Sequence, residues 1–497
     1  MILSLDVGTT VAKAVLFDDQ GREVLVSERI CPLQHPEPGA VEQDPRDIRR
    51  AVVGVLKDSF RTPHGERIRA LVLSTQGGSM IPVRRDGTPT HPLITWMDTR
   101  AAPVVEQWSR NGASRQIREQ SGWWAEAGLP LATIEWLRRS RPRIHERTEV
   151  FLSLNDYLAF LLTGFFVTNP SCAGEMLLMD RQTGQWNPEL CSLVGISPEQ
   201  LSMIRPAEAV IGPLAGEIAK ILGVQREIPV INGGQDHTLE ALAVGLTEEG
   251  KALLACGTAW VVNGVSRSGA LADIPEGMGI NPHVPPGQWI ASQYLGCFGA
   301  VMEWWTGTLW SGLNDQADRE ELYAAVNDRM AQASWDPREL LYIPYSGGKQ
   351  LDVNRGGGAF LGMTPTHSKE HLTMALMEGT CFEVRWALEN LMDRGTTIRE
   401  LWMIGGATRS RVWPQIMADT LGIPILTSNY SHGPALGAAM VATVSLGDHP
   451  DYEAARRVFR VDHGVRKPDQ RRHQVLTKRF QRFRKASEIL RKGGLDA

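Results

Sequence analysis

Apolar residues near the start of the chain occur in short runs that end at glycine-rich turns, a pattern typical of buried strands. Residues 3–21 predict a strand, a Gly-Thr-Thr turn, a second strand and an Asp-Asp-Gln-Gly hairpin turn. A helix should follow, with Asp44 as its N-cap and Pro45 at its first position. Its buried face is marked by apolar residues at helical spacing, namely Ile48, Val52, Val55 and Leu56. Residues 68–75 predict another buried strand, and strand, helix and strand in this order indicate a layered α/β domain.

The hairpin pattern occurs a second time, half a chain later. Residues 252–269 repeat the pattern of residues 3–21, and Gly257-Thr258 matches Gly8-Thr9 at an offset of 249 residues in a chain of 497. A repeat of this kind predicts two similar halves. We place them at residues 1–246 and 247–497.

These glycine-threonine turns expose backbone N–H groups and a hydroxyl at one point, which can hold phosphate oxygens. Two of them facing each other would clamp one polyphosphate. The first copy has Asp6 before its glycine, whereas the second has Ala255. The sequence therefore predicts one metal-facing carboxylate and not two.

Between the repeats, residues 230–258 deliver another carboxylate through a glycine turn. Val230 and Ile231 end a strand, Asn232-Gly233-Gly234 allows a tight turn, and Asp236 precedes a helix whose first N–H groups would favour an anion. Asp236 is thus well placed to act as a general base. The alternative is that it only caps the helix.

Three further stretches carry candidate binding residues. Trp96, Asp98 and Arg100 alternate as at a strand end, so they should share one face and form either a sugar wall or a surface ion pair beside a tryptophan. Asn155 and Asp156 would contact hydroxyls or cap the next helix. The small-residue turn Gly405-Gly406-Ala407 would let the backbone lie flat against a nucleotide.

Composition excludes several classes of protein. With 42% hydrophobic residues, 22% charged residues and a net charge of −4, the chain is typical of a globular protein and gives no reason to expect nucleic acid or a membrane as partner. Asp6 interrupts the N-terminal apolar run, which argues against a signal peptide. The six cysteines are scattered, which favours a reduced cytoplasm and implies no zinc site.

Two stretches imitate other functions. Residues 245–251, GLTEEGK, resemble a Walker A loop, but Ala252 follows where Ser or Thr is required, and a strand follows where a helix is required. Residues 466–492 contain eleven Lys or Arg and two acidic residues. Their apolar residues fall at helical spacing, so we expect an amphipathic helix packed on its own domain and no nucleic-acid arm.

The order and spacing of these motifs resemble the FGGY family of carbohydrate kinases, within the group that shares the actin, hexokinase and Hsp70 ATPase fold. The resemblance runs from Leu3 to about Thr443 and includes TWMDTR (95–100), GGQD (233–236) and the segment 358–379. It implies two actin/hexokinase-like, ribonuclease H-like α/β domains with the catalytic cleft between them. The N-terminal domain would bind a small sugar, and the C-terminal domain would bind ATP.

The resemblance also implies roles for individual residues, with ATP and Mg²⁺ as cofactors. Asp236 would be the catalytic base, and Asp6 would hold Mg²⁺ through water. ATP would be bound by Thr9, Thr10, Lys13, Gly257, Thr258, Gly405, Gly406 and Ala407. The sugar would lie against Gln76, Gly77, Gly78, Trp96, Asp98, Arg100 and Asp236.

Two departures bear on the choice of sugar. The turn that reads Gln-Met-His-Gly in xylulose kinases reads Gln76-Gly77-Gly78-Ser79 here, and residues 344–356 lack the usual Glu-Arg-Thr-Pro run. The missing histidine would leave space for a bulkier or differently oxidised substrate. We expect a xylulose kinase-like enzyme, with another ketose, an alditol or an aldonate (ribulose, fuculose or gluconate) as the alternative. An ATP-driven switch of the actin or Hsp70 type and a silent sugar sensor are remote alternatives, and the sequence leaves a homodimer open.

Overall fold

The computed structural model describes residues 1–310, 319–333, 340–344, 358–428 and 430–492. The strands of the first half are β1 Ile2–Val7, β2 Val11–Phe17, β3 Glu23–Ile30, β4 Glu42–Gln43, β5 Ala70–Thr75, β6 Met80–Val83, β7 Leu93–Ile94, β8 Val150–Ser153, β9 Val167–Thr168, β10 Met203–Ile204, β11 Val210–Pro213 and β12 Pro229–Gln235. Those of the second half are β13 Gly250–Cys256, β14 Trp260–Ser266, β15 Gly279–Pro282, β16 Trp289–Gly296, β17 Leu341–Pro344, β18 Gly358–Leu361, β19 Ile398–Gly405, β20 Ile425–Ser428 and β21 Gly464–Arg466.

Helices lie between these strands. In the first half they are α1 Pro45–Phe60, α2 Ala102–Arg110, α3 Ala113–Ser121, α4 Pro130–Ser140, α5 Pro142–Arg147, α6 Leu154–Thr163, α7 Pro170–Glu175, α8 Pro188–Leu193, α9 Gly216–Leu222 and α10 Asp236–Ala243. In the second half they are α11 Phe298–Leu309, α12 Arg319–Gln332, α13 Lys369–Met392, α14 Trp413–Leu421, α15 Gly433–Ser445, α16 Tyr452–Val458 and α17 Gln470–Lys492.

The predicted repeat is confirmed by two sheets of the same design. The first has the strand order β11-β12-β5-β1-β2-β3, and the second has the order β15-β16-β14-β13-β19-β20-β21. In each sheet an antiparallel hairpin (β1-β2 or β13-β14) continues into parallel strands (β5 and β12, or β19 and β20). The hairpins differ in one detail, because Val7 pairs with Ala12 whereas Cys256 pairs with Trp260. The second turn is therefore one residue shorter.

Helix α1 shows how local sequence fixes an element of the first domain. The Asp44 side chain accepts a hydrogen bond from the Arg46 N–H at 2.8 Å, and Pro45 opens the helix. Both features match the predicted N-terminus. The apolar face packs against the sheet, with Ile48, Val52, Val55 and Leu56 buried.

The two halves share a hydrophobic core through α15. This helix belongs to the second half but packs against β1, β5 and α10 of the first. A Cβ at Gly437 would overlap the carbonyl oxygen of Leu239, so the backbones of α15 and α10 touch at this glycine. The Ser4 hydroxyl donates to the Ala435 carbonyl at 2.7 Å.

The basic C-terminal stretch forms α17 and packs on its own domain, as predicted. Leu476, Phe480 and Phe483 are buried, and both phenylalanines contact Phe382 in α13. Arg479 forms a buried ion pair with Glu378. Within the described ranges, no helix combines the length and the apolar composition that a membrane span needs.

Candidate active site

The parallel strands of the first sheet bring the predicted site residues to one edge. Asp6 pairs with Ser74 across β1 and β5, and Gln235 pairs with Thr75 across β5 and β12. The carboxyl ends of these strands therefore meet, and Asp236 begins α10 immediately after β12. Ligands of α/β sheets bind outside this edge.

Asp6 is a half-buried carboxylate at the end of β1. The Ser74 hydroxyl donates a hydrogen bond to its Oδ1 at 2.6 Å. Burial raises the pKa of Asp6 to about 6; the negative charge of Asp236 adds to this rise, and the charges of Lys13 and His432 oppose it. A carboxylate whose pKa is raised in this way is under-compensated, so a bound cation would be stabilised there.

Asp236 is the first residue of α10, but it is not the cap. The cap is Gln235, whose side-chain oxygen accepts from the Thr238 N–H at 3.0 Å. Asp236 Oδ1 accepts from the Gln235 side-chain amide and from the His237 N–H, each at 2.8 Å. Burial raises the pKa of Asp236. The cap alternative is therefore wrong, and general-base catalysis by Asp236 stays a prediction.

A second carboxylate on α10 was missed. Glu240 lies one turn after Asp236, and burial raises its pKa to about 8, with the charges of Asp236 and Asp6 adding to the rise. Carboxylates at i and i+4 share a helix face and destabilise the helix. The signal in the sequence was this spacing of two acidic residues in DHTLE (236–240). Because such a pair destabilises a helix, its presence suggests a functional reason.

Glu175 is the other missed carboxylate. It is the last residue of α7. Burial raises the pKa of Glu175 to about 8, and the negative charges of Asp236 and Glu126 add to this rise. The Gly78 N–H donates to the Glu175 carboxylate and opposes the rise. The signal in the sequence was an acidic residue inside the apolar run 172–179.

Thr9 belongs to a closed hydrogen-bond network. Its hydroxyl donates to Gln76 Oε1 at 2.8 Å and accepts from the Trp96 indole at 3.0 Å. The Gln76 amide donates to Gln43 Oε1 at 3.0 Å, and the Gln43 amide donates to the Thr9 carbonyl at 2.8 Å. The hydroxyl predicted to bind phosphate is thus bonded to Gln76 and Trp96, two residues predicted to bind the sugar, whereas the next residue, Thr10, is exposed. Gln43 was not predicted as a site residue, since it lies in β4 and not in the strands that lead to Thr9 and Gln76.

The glycines after Gln76 do not leave an empty space. Gly78 has a φ of 67°, and a Cβ there would lie 2.9 Å from Leu129 Cδ2 and 3.1 Å from Trp96 Cβ. A Cβ at Gly77 would overlap the Glu175 carboxyl group. The space next to the backbone is thus occupied, and the expectation that a missing histidine leaves room for a bulkier substrate stays a prediction.

Trp96, Asp98 and Arg100 do not alternate on a strand, because β7 ends at Ile94 and these residues lie in the turns that follow. The Trp96 indole reaches Thr9, whereas Asp98 is buried and accepts from the Val41 N–H at 3.0 Å. Arg100 is paired with Asp98 and also with Glu37 and Glu42. The predicted shared face is wrong, and the ion pair is buried and not on the surface.

Asp156 caps a helix, which is the second of the two roles predicted for it. The Ser153 N–H donates to its carboxylate at 3.2 Å, and the Asp156 N–H donates to the Ser153 hydroxyl at 3.3 Å. This reciprocal pair is a capping box at the start of α6. Asn155 is buried, and its amide donates to Asn232 at 3.3 Å.

In the second sheet, the predicted nucleotide turns lie side by side. Cys256 pairs with Gly405 across β13 and β19, so the turns Gly257-Thr258 and Gly405-Gly406 leave the same edge, and all four residues are exposed. Gly405 has a φ of 98°, and a Cβ there would lie 2.7 Å from the Cys256 carbonyl oxygen. Only glycine fits this close approach. Ala407 follows in a 3-10 turn and is half-buried.

Two further predictions concern the second half. Residues 245–251 lead into β13 and not into a helix, which confirms that they are not a Walker A loop, and Lys251 pairs with Glu248 at 3.3 Å. The departure at residues 344–356 lies, from residue 345 onward, outside the described residues.

The fit of a magnesium ion depends on the carboxylates of the first sheet. Among the residues that the structure describes, no three His, Cys, Asp or Glu side chains form a set that could hold a metal ion alone. Mg²⁺ commonly binds through one or two carboxylates together with waters and substrate phosphates. Asp6 fits that mode, because it is half-buried and its charge is under-compensated.

Duplicated sheets of this topology, each with a glycine-threonine hairpin at its ligand-binding edge, define the actin/hexokinase-like class of ATP-using proteins. The chain matches the model of the FGGY family of carbohydrate kinases, N-terminal domain, over residues 1–243, and the C-terminal domain over residues 252–446. It belongs to the FGGY family of carbohydrate kinases, and it is a sugar kinase with a sugar and ATP as substrates.

Individual relatives have different sugars in their names. The chain is 26% identical to the L-xylulose/3-keto-L-gulonate kinase of Escherichia coli over 488 residues, covering 97% of this chain and 95% of that protein. It is 26% identical to the gluconokinase of Bacillus subtilis, covering 91% and 89%. The crystal structure of ligand-bound xylulose kinase from Lactobacillus acidophilus superposes with a TM-score of 0.89 at 25% identity, covering 98% of each chain.

Proposed function

We propose that this sugar kinase uses Asp236 as the general base that takes the proton of the acceptor hydroxyl as the γ-phosphoryl group transfers. The observation that carries the proposal is the position of Asp236 at the carboxyl edge of the first sheet, with the cap of α10 supplied by Gln235 instead. The hydrogen bonds from Gln235 and His237 both end on Oδ1. Oδ2 is then the oxygen proposed to accept the proton.

The phosphate chain of ATP would lie between the two hairpin turns. The exposed turn Gly257-Thr258 and the exposed residue Thr10 would supply N–H groups and hydroxyls. Lys13 would add a positive charge, although it is already paired with Glu28 at 3.4 Å. The backbone of residues 405–407 would lie against the nucleotide, because Gly405 and Gly406 present no side chain.

Asp6 would hold Mg²⁺. The dependence of turnover on the magnesium concentration tests this role directly. When bound, the ion neutralises negative charge on the phosphate oxygens. The Ser74 hydroxyl orients the Asp6 carboxylate through the 2.6 Å hydrogen bond. Glu240, on the same helix face as Asp236, would be mostly protonated at neutral pH, because burial raises its pKa to about 8.

The sugar would lie over the Thr9, Gln76 and Trp96 network, beside Asp236. In that network each amide and hydroxyl already has a partner, so its geometry is fixed before substrate arrives. A fixed polar surface lowers the ordering cost of binding. We propose a small ketose or a related polyhydroxy compound as the acceptor, supported by the xylulose and gluconate kinases among the relatives.

We also propose the cytoplasm as the site of action. ATP is a substrate, and all six cysteines are free, five of them buried. Free thiols in this number are typical of a reducing compartment.

The deciding experiment is Asp236→Asn, measured by coupled ADP release with D-xylulose, D-ribulose and gluconate. Loss of the base should lower kcat by about 10²- to 10⁴-fold. ATP affinity should change by less than about 1 kcal/mol, because the proposed nucleotide contacts lie elsewhere. The matched control is Asp462→Asn, at an exposed residue between α16 and β21 that is not one of the predicted site residues. A folded Asp236→Asn enzyme with more than about half of the wild-type kcat would refute general-base catalysis by this residue.

A further inference from the structure

We propose that Glu175 determines the substrate class, so that the site selects a neutral ketose or polyol over a sugar acid. This inference rests on the proposed function, because it places the sugar beside Asp236. Glu175 would bind substrate hydroxyl or carbonyl groups and would exclude a carboxylate from the same position.

The first argument is the match between Glu175 and the glycine turn after Gln76. A Cβ at Gly77 would overlap the Glu175 carboxyl group and would lie 2.9 Å from Gln235 Cγ. The Gly78 N–H donates to the Glu175 carboxylate. The turn and the carboxyl therefore form one unit, in which glycine makes the space that the carboxyl occupies.

The second argument is the rigidity with which α7 presents Glu175. Asn169 caps this helix, accepting from the Cys172 N–H at 3.0 Å and from the Ser171 hydroxyl at 2.7 Å. The Ser171 hydroxyl also accepts from the Gln235 N–H at 3.0 Å. Since Gln235 precedes Asp236, the helix that carries Glu175 is tied to the backbone that carries the proposed base.

The third argument is the charge around this position. Asp236 and Glu126 both act on Glu175, and each adds negative potential to its surroundings. Arg100 and Lys13, the two basic residues predicted for the cleft, are paired with Asp98, Glu37 and Glu42, and with Glu28, respectively. Above about pH 8, where Glu175 is ionised, a substrate carboxylate would therefore meet like charge, whereas a hydroxyl would meet hydrogen-bond acceptors.

The test is a comparison of kcat/KM across D-xylulose, D-ribulose, xylitol and gluconate at about pH 9, above the pKa of about 8 to which burial raises Glu175. For the wild type we expect at least one neutral compound to exceed gluconate by about 100-fold or more, since like-charge contacts cost several kcal/mol. Glu175→Gln should narrow that ratio by about threefold to tenfold, because an amide keeps the shape and removes the charge. A wild type that prefers gluconate would overturn the inference.

A second variant changes the glycine turn that contacts the Glu175 carboxyl group. Gly77→Ala should displace the Glu175 carboxyl and lower kcat/KM for the preferred neutral sugar by about tenfold, mainly through KM, with the KM for ATP unchanged. A purely structural defect would alter both substrates and the melting temperature. The matched control is Glu227→Gln, an exposed residue, which should leave the ratio unchanged.

The outcomes separate this inference from the proposed function. If neither Glu175→Gln nor Gly77→Ala changes the ratio between neutral sugar and gluconate, Glu175 does not set the substrate class. The proposed function would still stand in that case, provided that Asp236→Asn abolishes turnover with the preferred sugar. An active Asp236→Asn enzyme would refute the proposed function whatever the ratio.

Discussion

The two hairpins have the same backbone design but different side chains. The first places Asp6 opposite Lys13, and the second places the uncharged Ala255 opposite the uncharged Val261. Thr9 in the first turn is bonded to Gln76 and Trp96, whereas Thr258 in the second is exposed. The two copies therefore share the backbone of the turn, whereas only the first has an acidic side chain two residues before its glycine.

The largest expected effect comes from making the first hairpin resemble the second. Asp6→Ala should lower kcat by about 10²- to 10³-fold, because it removes the carboxylate proposed to hold Mg²⁺. Sugar binding should persist, which isothermal titration with the preferred sugar would check. The control is Asp19→Ala at the far end of the same hairpin, where the side chain is 72% exposed. Unchanged magnesium dependence together with lost sugar affinity would show that Asp6 serves the sugar.

An intermediate effect separates the two threonines. Thr258→Val should raise the KM for ATP by about tenfold, the equivalent of one hydrogen bond, with little change for the sugar. Thr9→Val should do the reverse, because its hydroxyl joins Gln76 and Trp96 on the sugar side. The two variants are each other's controls, and initial rates with each substrate varied would measure both. If both raised the KM for ATP alone, the hairpins would be equivalent in function.

The smallest expected effect concerns Lys13. Replacing it by valine, its counterpart in the second hairpin, should raise the KM for ATP by no more than about fivefold. The effect is small because Lys13 is half-buried and already paired with Glu28 at 3.4 Å. Glu28→Gln offers a comparison, since it should free Lys13 and lower the KM for ATP slightly. A rise of about a hundredfold in Lys13→Val would make this lysine a principal phosphate ligand.

Much of the fold was predictable because the signals are local. The hairpins, α1 with its Asp44 cap, and the amphipathic α17 follow from turn residues and hydrophobic spacing within short windows. The repeat at an offset of 249 residues then related the two sheets. Each of these features depends on neighbours in sequence, which a single chain displays directly.

The site was predicted less completely because its contacts join distant segments. Gln43 reaches Thr9, and Glu175 fills the space beside Gly77. The apolar run 172–179 marks Glu175 as unusual, but local sequence does not show which distant residue either side chain contacts. The cap of α10 was misassigned because glutamine is an uncommon N-cap. Asp98 was expected at a strand end, but its hydrogen bond to Val41 draws it into the interior.

The position of α15 has a consequence for synthesis on the ribosome. This helix covers one face of the first sheet, where Ile2, Val15, Val72 and Ile231 are buried beside Ala438 and Val441. When residue 246 leaves the ribosome, that apolar face is covered only in part by α10, because α15 begins at Gly433. The first half must therefore wait for nearly all of the second before its core is closed, and during that interval the nascent chain is a natural client for chaperones that bind exposed apolar surface.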